Sequence, residues 1–173
     1  DVTVFDNSTK QLEKDNYVAL RDNLKIKTVQ GNMQDLSAFK DETFDCIVHP
    51  WSNGYIDNIL PVWKECARVL KKNGLLLSGF GNPIEYIFDS GKLDQGILEV
   101  KYSIPYADID HLDDPEIKQI VESGGYIWGH TLEDQIQGQI AAGFAIIGFY
   151  EDIGGTVLDN YINSSIATKA IKL

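Results

Sequence analysis

Side chains that can take part in chemistry stand directly after short apolar runs of the sequence. Asp6 follows the run Val2–Phe5, and His49 and Ser52 follow the run Phe44–Val48. A carboxylate makes charge-assisted hydrogen bonds, and an imidazole exchanges protons near neutral pH. Ser52 has no evident His or Asp partner, so the sequence does not support nucleophilic hydrolysis. Because ligands bind at the carboxyl ends of strands in open α/β sheets, these residues predict a binding site along that edge.

The segments that must position these residues alternate between strand and helix patterns, which is typical of a layered α/β fold. Ser8 and Gln11 have capping-box spacing and predict a helix that continues to Arg21. Ile26–Gln30 predicts the second strand. A later helix carries one apolar stripe at helical spacing, made of Ile59, Val62, Trp63, Cys66, Ala67 and Leu70.

This second helix has clear start and stop signals. Asn58 is the expected N-cap, and Pro61 is tolerated only near the helix start. Lys71–Gly74 predicts the end, because positive charge suits a helix C-terminus and Gly74 supplies a left-handed cap. Leu75–Ser78 then predicts a fully buried, parallel strand.

The remainder of the chain predicts an insertion followed by the end of the sheet. We interpret residues 81–130 as an insertion or lid on the substrate side of a single domain that spans residues 1–173, with an exposed strand at Ile97–Ile104. Thr131 and Asp134 predict the cap of another helix, which ends at Gly143. Its expected apolar face comprises Leu132, Ile136 and Ile140, and the last two strands are expected at 144–150 and 165–173.

Composition excludes several classes of function. The net charge of -11 argues against a nucleic-acid partner, which requires clustered Lys and Arg. The acidic run 108–116 predicts a solvated loop that enters a helix, and its spacing fixes no metal geometry, so we expect no metal. Cys46 and Cys66 are expected to be buried thiols in a reducing compartment. Without a membrane-spanning run or a signal peptide, we expect a cytoplasmic protein with no membrane partner.

The chain resembles the class I S-adenosylmethionine-dependent methyltransferases, and especially the broad group related to quinone-biosynthesis methyltransferases. The order and spacing of four phrases carry the resemblance: Val2–Ser8 (VTVFDNS), Gln30–Leu36 (QGNMQDL), Phe44–Val48 (FDCIV) and Ala67–Leu77 (ARVLKKNGLLL). It implies a Rossmann-like sheet with helices on both faces and an antiparallel last strand. It also implies methyl transfer from S-adenosyl-L-methionine to a small-molecule acceptor.

The resemblance assigns roles to particular residues. Asp6 corresponds to the acid that accepts both ribose hydroxyls of the cofactor, and Asn32 and Met33 to the turn that grips adenine. The neighbouring cofactor-site candidates are Asn7, Gln34, His49 and Pro50. The candidates for the acceptor pocket are Trp51, Ser52, Tyr55, Tyr106 and His130. A catalytic base is left open among His49, Tyr55 and His130, because an activated sulfonium methyl group needs mainly alignment.

One expected element is absent from the sequence. The family places a strand and a glycine-rich turn before the strand that corresponds to Val2–Phe5, and no such turn precedes Asp6. That strand would lie in the middle of the sheet, so its absence predicts two unpaired inner edges. Three outcomes remain open: a shortened form of a longer protein, a homodimer that exchanges strands, or a sheet that closes over the gap. In each case we expect weak cofactor binding or none.

Two other functions stay open at this point. A nicotinamide-dependent oxidoreductase on a Rossmann-like fold also uses an acid at the ribose, so Asp6 does not discriminate. The direction of the last strand does, because an antiparallel strand favours the methyltransferase sheet. The second alternative is a non-enzymatic remnant that acts as an interaction module.

Overall fold

A computed structural model describes all 173 residues, Asp1–Leu173. The strands are β1 (Val2–Asp6), β2 (Ile26–Gln30), β3 (Phe44–Pro50), β4 (Leu70–Gly81), β5 (Tyr106–Ala107), β6 (Trp128–Gly129), β7 (Phe144–Asp152) and β8 (Ser165–Lys172). The α-helices are α1 (Thr9–Arg21), α2 (Leu60–Val69), α3 (Ser90–Asp94), α4 (Pro115–Gly124) and α5 (Gly138–Ala141). Single turns of other helix types lie at Asn53–Tyr55, Pro83–Ile87, Asp108–His111, Glu133–Gln137 and Val157–Asn160.

The main strands form two separate sheets. Strands β1 and β2 pair in parallel, and a four-stranded sheet has the order β3-β4-β8-β7. Strand β4 runs parallel to β3, whereas β8 runs antiparallel to both β4 and β7. The antiparallel final strand confirms the expected methyltransferase arrangement and argues against the oxidoreductase sheet.

Helices cover both faces of the fold. On one face, Asn16 of α1 donates a side-chain hydrogen bond to Thr28 of β2 over 3.3 Å. On the opposite face, the adjacent strand residue Val29 packs against the small cluster that contains Val69 of α2. The predicted α/β class with helices on both faces is therefore confirmed.

A gap separates the two sheets where the expected inner strand would lie. The inner edges of β1 and β3 pair with no other strand. The predicted pair of unpaired inner edges is therefore observed, and the alternative in which the sheet closes over the gap is wrong. The aromatic rings of Phe5, Phe39 and Phe44 bridge the sheets below the gap, with edge-to-face centroid distances of 5.5 and 5.0 Å.

The main core forms where α2 packs on the four-stranded sheet. All six residues of the predicted stripe are buried there, together with Leu76, Phe144 and Ala170. Trp63 is completely buried, and its indole nitrogen donates to the carbonyl oxygen of Asp134 over 3.0 Å. The helical spacing therefore identified the face that fixes α2 beneath β3 and β4.

The boundaries of α2 differ from the prediction. Ile59 is the N-cap, while the Asn58 side chain accepts from the backbone N–H of Leu60 over 3.0 Å. The helix ends at Val69, and Asn73, with φ of 64°, takes the left-handed position expected for Gly74. Asparagine adopts left-handed backbone dihedral angles more readily than most residues. A Cβ atom on Gly74 would lie 2.8 Å from the carbonyl oxygen of Lys71, so close packing explains glycine there.

Two further expectations are wrong: the strand at residues 97–104 and the apolar face of the helix after Thr131, although that helix and its Thr131–Asp134 cap are present. Residues 97–104 form no strand, and Val100 makes only an isolated β-bridge to Phe88. The helix after Thr131 begins with the π-type turn Glu133–Gln137, and its buried side chains are Gln135 and Gln139 rather than the apolar ones. A π turn adds a residue to the helical repeat, which rotates the later side chains away from the expected face.

The cysteines behave differently from each other. Cys66 is buried in the main core, as expected, whereas Cys46 is exposed. The prediction for Cys46 is wrong because its strand, β3, borders the gap. None of the helices is both long and apolar enough to span a bilayer.

Candidate functional site

A cleft of about 820 Å³ occupies the gap, and residues at the carboxyl ends of the strands line part of it. Thr3 and Phe5 line it from β1, and Cys46, Val48 and His49 line it from β3. Its volume lies within the range of small-molecule and cofactor pockets. The cleft therefore brings together chain segments that are far apart in sequence, and it includes most of the predicted cofactor-site residues.

The carboxyl ends of β1 and β2 place Asp6 and Asn32 side by side. The strands pair in parallel with Asp6 opposite Gln30, and Gly31 donates a backbone hydrogen bond to the Asp6 carbonyl oxygen over 3.0 Å. The Asp6 Oδ1 atom accepts from the backbone N–H of Ser8 over 2.7 Å. This bond fixes the carboxylate at the start of α1 and leaves Oδ2 for a ligand.

The turn after β2 presents both polar and apolar groups. Asn32 Oδ1 accepts from the backbone N–H of Gln34 over 2.9 Å, which holds the turn and leaves the Nδ2 donor available. The backbone N–H of Met33 donates to no group in the chain. The Met33 side chain packs against the main core and lines the cleft. One wall of the cleft therefore offers a carboxylate, hydrogen-bond donors and an apolar surface.

The remaining predicted residues are divided between the cleft and other positions. Asn7 and Ser52 line the cleft, whereas the Gln34 side chain turns away and donates to Asp57 and to the Asn58 carbonyl oxygen. Two residues, Pro50 and Tyr106, do not line the cleft.

Tyr106 and the acidic run have structural roles instead. The buried Tyr106 hydroxyl donates to Asp108 over 2.7 Å, and Asp108 also accepts from the backbone N–H of Ile127. Asp114 caps α4. These contacts explain why the acidic run contributes to local folding rather than to the cleft.

The segment that follows β3 forms the opposite wall. His49 lines the cleft, and its Nε2 atom lies 2.6 Å from Oδ1 of Asn53. Burial lowers the pKa of His49, and the hydrogen bond with Asn53 opposes that shift. The imidazole is therefore neutral near pH 7. Trp51 adopts a positive φ of 55°, and its backbone N–H donates to the Gly79 carbonyl oxygen over 2.8 Å, which holds this unfavourable conformation.

A smaller cavity of about 220 Å³ adjoins the cleft. The two spaces share Tyr55 and Trp128. Aromatic rings dominate the smaller cavity, and its aromatic lining comprises Trp51, Tyr55, Phe80, Tyr86 and Trp128. Its polar lining includes Asn53, Gln135 and His130, whose Nε2–H donates to the Asn53 carbonyl oxygen over 2.9 Å. Burial raises the pKa of Tyr86 to about 12, so its hydroxyl stays protonated and can donate.

Sequence reasoning missed several residues of these cavities. Asn53 directly follows the candidate residues His49, Pro50, Trp51 and Ser52 in the sequence, so this proximity is a usable signal. Gln135 lies 82 positions after Asn53 and reaches the site from the π turn. Tyr126 and Trp128 enter from β6 and the loop before it, which no local pattern connects to the cleft.

Comparisons with known proteins identify the family. Residues 1–78 match the model of a methyltransferase domain. The chain is 55% identical over 174 residues to the uncharacterized methyltransferase YbaJ of Bacillus subtilis (strain 168), and the match covers all of this chain and 68% of that protein.

Solved structures share the fold at low sequence identity. An S-adenosylmethionine-dependent methyltransferase from Mesorhizobium loti superimposes with a TM-score of 0.74 at 14% identity, over 99% of this chain and 80% of that one. A geranyl diphosphate methyltransferase in complex with S-adenosylmethionine gives a TM-score of 0.65 at 16% identity, over 100% and 69% of the two chains. Together with the match to YbaJ, the sheet order places this chain in the class I S-adenosylmethionine-dependent methyltransferase family.

Proposed function

We propose that the cleft holds S-adenosylmethionine between the turn after β2 and the segment after β3, and that the methyl acceptor is a small molecule. One observation carries the proposal: Asp6, Asn32 and Met33 lie together on the carboxyl edge and line the same cleft as His49. A carboxylate beside free hydrogen-bond donors and an apolar side chain suits a ribose joined to a purine.

Each residue of this wall has a specific binding role. The Asp6 carboxylate accepts from the ribose hydroxyls, and its bond to Ser8 keeps it aimed at the cleft. The free backbone N–H of Met33 donates to a ring nitrogen of the purine, while the Met33 side chain covers one face of the ring. The amide of Asn32 contacts the purine edge through Nδ2, since its oxygen holds the turn. When bound, S-adenosylmethionine supplies an already activated methyl group.

The smaller cavity is the proposed acceptor site. Its volume of about 220 Å³ favours an acceptor of few atoms, and its aromatic walls offer apolar surface that can align such an acceptor. Trp51, Tyr55 and His130, all expected at the acceptor, line it. Residues 81–130 act as its lid, because this segment supplies Tyr86 and Trp128.

The 173-residue chain by itself is proposed to bind the cofactor weakly. The two proposed walls belong to separate sheets, and the edges that face each other carry unpaired backbone groups. A ligand in the cleft therefore has to order the sheets as well as contact them, which reduces its affinity. The unpaired edges also support the proposal that two copies exchange strands. Sedimentation of the chain tests this point, and a monomer at every concentration would contradict the homodimer.

Calorimetric titration of the chain with S-adenosylmethionine tests the proposed function. We expect saturable binding with a dissociation constant above the micromolar range, and no binding of a nicotinamide dinucleotide under the same conditions. Micromolar affinity would contradict the proposed weakness. Binding of the dinucleotide in preference to S-adenosylmethionine would overturn the cofactor assignment.

A further inference from the structure

A network of hydrogen bonds between polar residues runs through the interior from the cleft to the last strand. The His49 ring contacts Asn53 over 2.6 Å, and Asn53 Nδ2 donates to Gln135 Oε1 over 2.6 Å. Gln139 Nε2 donates to the Gln135 carbonyl oxygen over 2.8 Å, and the Thr168 hydroxyl donates to Gln139 Oε1 over 3.0 Å. All but His49 are at most 4% exposed. This network begins at the proposed cofactor site and ends in the main sheet.

The direction of these bonds determines which ring nitrogen of His49 carries the proton. Asn53 donates its amide N–H to Gln135, so its Oδ1 atom faces His49 and can only accept. His49 must therefore donate from Nε2, which leaves Nδ1 without a proton in the neutral ring.

The unprotonated nitrogen of His49 has no hydrogen-bond partner within the protein. The only buried side-chain polar atom without a partner is Oγ of Ser78. Nδ1 is therefore not completely buried, and the cleft is the cavity that His49 lines. A neutral imidazole with an accessible lone pair is a proton acceptor.

The energetic cost of this arrangement points to a role beyond packing. Apolar side chains of similar volume would fill the space beside α2 without any need for hydrogen-bond partners. The Ser78 hydroxyl, opposite both His49 and Thr168 in the sheet register, is buried without a partner, which is a further cost. The side chain of Gln135 reaches Asn53 from a π turn, a geometry that is frequent at functional sites.

We propose that Asn53 and Gln135 are positioning residues that hold His49 in the Nε2–H tautomer, so that Nδ1 accepts the proton of the methyl acceptor. His49 lines the cleft and not the smaller cavity, so the reacting atom of the acceptor reaches into the cleft beside Tyr55, which lines both spaces. The inference rests on the proposed function and names the acceptor class, a nucleophile that carries a proton, such as a hydroxyl or an N–H group. The bond between that proton and the acceptor atom breaks, the proton moves to Nδ1, and the electron pair stays on the acceptor atom. That atom forms the new bond to the methyl carbon. The bond between the methyl carbon and the sulfonium sulfur breaks, and its electron pair stays on the sulfur.

Nuclear magnetic resonance of the chain with ¹⁵N-labelled histidine tests the proposal without any ligand. His130 provides an internal reference, because its Nε2–H donates to a backbone carbonyl oxygen, which can only accept. We expect His49 to show the same Nε2–H pattern above neutral pH, with Nδ1 unprotonated. A proton on Nδ1 of His49 would overturn the proposal directly, even if no variant could be prepared.

Substitution of Gln135 tests the positioning role. Gln135→Leu removes the acceptor that orients the Asn53 amide, and we expect a mixture of both His49 tautomers together with a changed reactivity of His49 toward diethyl pyrocarbonate. Thr168→Val is the matched control, because it removes the hydrogen bond at the far end of the same network and should leave the His49 signals unchanged. Identical His49 signals in the Gln135→Leu variant would assign the network a purely structural role.

The two proposals can fail separately. The tautomer is a property of the free chain, so it can be confirmed even if calorimetry detects no S-adenosylmethionine binding, and then only the proposed function fails. Conversely, cofactor binding with a proton on Nδ1 would retain the cofactor site and remove the role of His49.

Discussion

Replacement of Asp6 by Asn isolates the charge of the proposed ribose contact. An Asn side chain keeps an oxygen that can accept from Ser8 N–H, the bond that fixes Asp6 over 2.7 Å. The start of α1 should therefore keep its geometry. The free Oδ2 atom changes from a charged acceptor to an amide donor, which replaces charge-assisted bonds of about 1.5–3 kcal/mol by neutral ones of about 0.5–1.5 kcal/mol. The expected loss is about 1–2 kcal/mol, or a roughly 5- to 30-fold weaker affinity.

Calorimetric titration with S-adenosylmethionine, extended to high ligand concentration, measures the ratio of the two dissociation constants. Glu13→Gln is the matched control, since it removes the same charge from an exposed position of α1 that does not line the cleft. We expect the control to bind like the unmodified chain. Equal affinities for Asp6→Asn and the unmodified chain would remove Asp6 from the cofactor site.

Three further predictions concern the cleft and its supports. Cys46 should react rapidly with a thiol reagent, whereas Cys66 should react only on unfolding, because burial raises its pKa to about 12; mass spectrometry of the labelled chain checks this. Because the pKa of His49 is lowered in the folded chain, the unfolded chain binds its proton at higher pH, so stability should fall as pH drops below about 6.5. In urea unfolding, the free energy of unfolding of His49→Gln should fall less at low pH than that of the unmodified chain. An equal fall would contradict the attribution of this pH dependence to His49. Gly31→Ala should cost about 1–3 kcal/mol in urea unfolding, because the added Cβ would lie 2.5 Å from the Phe5 ring, and unchanged stability would show that the ring moves freely.

The sequence was most informative where one periodicity dominated. The stripe from Ile59 to Leu70 predicted the buried face of α2, because each of its apolar residues packs against the same sheet. The polar residues after β1 and β2 also indicated the site edge, because parallel strands bring their carboxyl ends together. These inferences depend only on the local pattern and on the direction of neighbouring strands.

The remaining features depend on contacts between distant segments. Leu132 and Ile140 looked like a core face, yet the π turn rotates Gln135 and Gln139 into the interior instead. Gln34 seemed to belong to the cofactor turn, but its side chain turns away from the cleft to bond with Asp57, 23 residues further along the chain. Hydrogen bonds of this kind depend on the assembled fold, so no local pattern could reveal them.

The most direct test of the account is an amide chemical-shift map of the ¹⁵N-labelled chain titrated with S-adenosylmethionine. If the cleft binds S-adenosylmethionine, the largest shifts fall on both of its walls, at Asp6–Ser8 and at Asn32–Met33 on one side and at His49 on the other. Shifts confined to residues outside the cleft, or no shift at millimolar ligand, would contradict it.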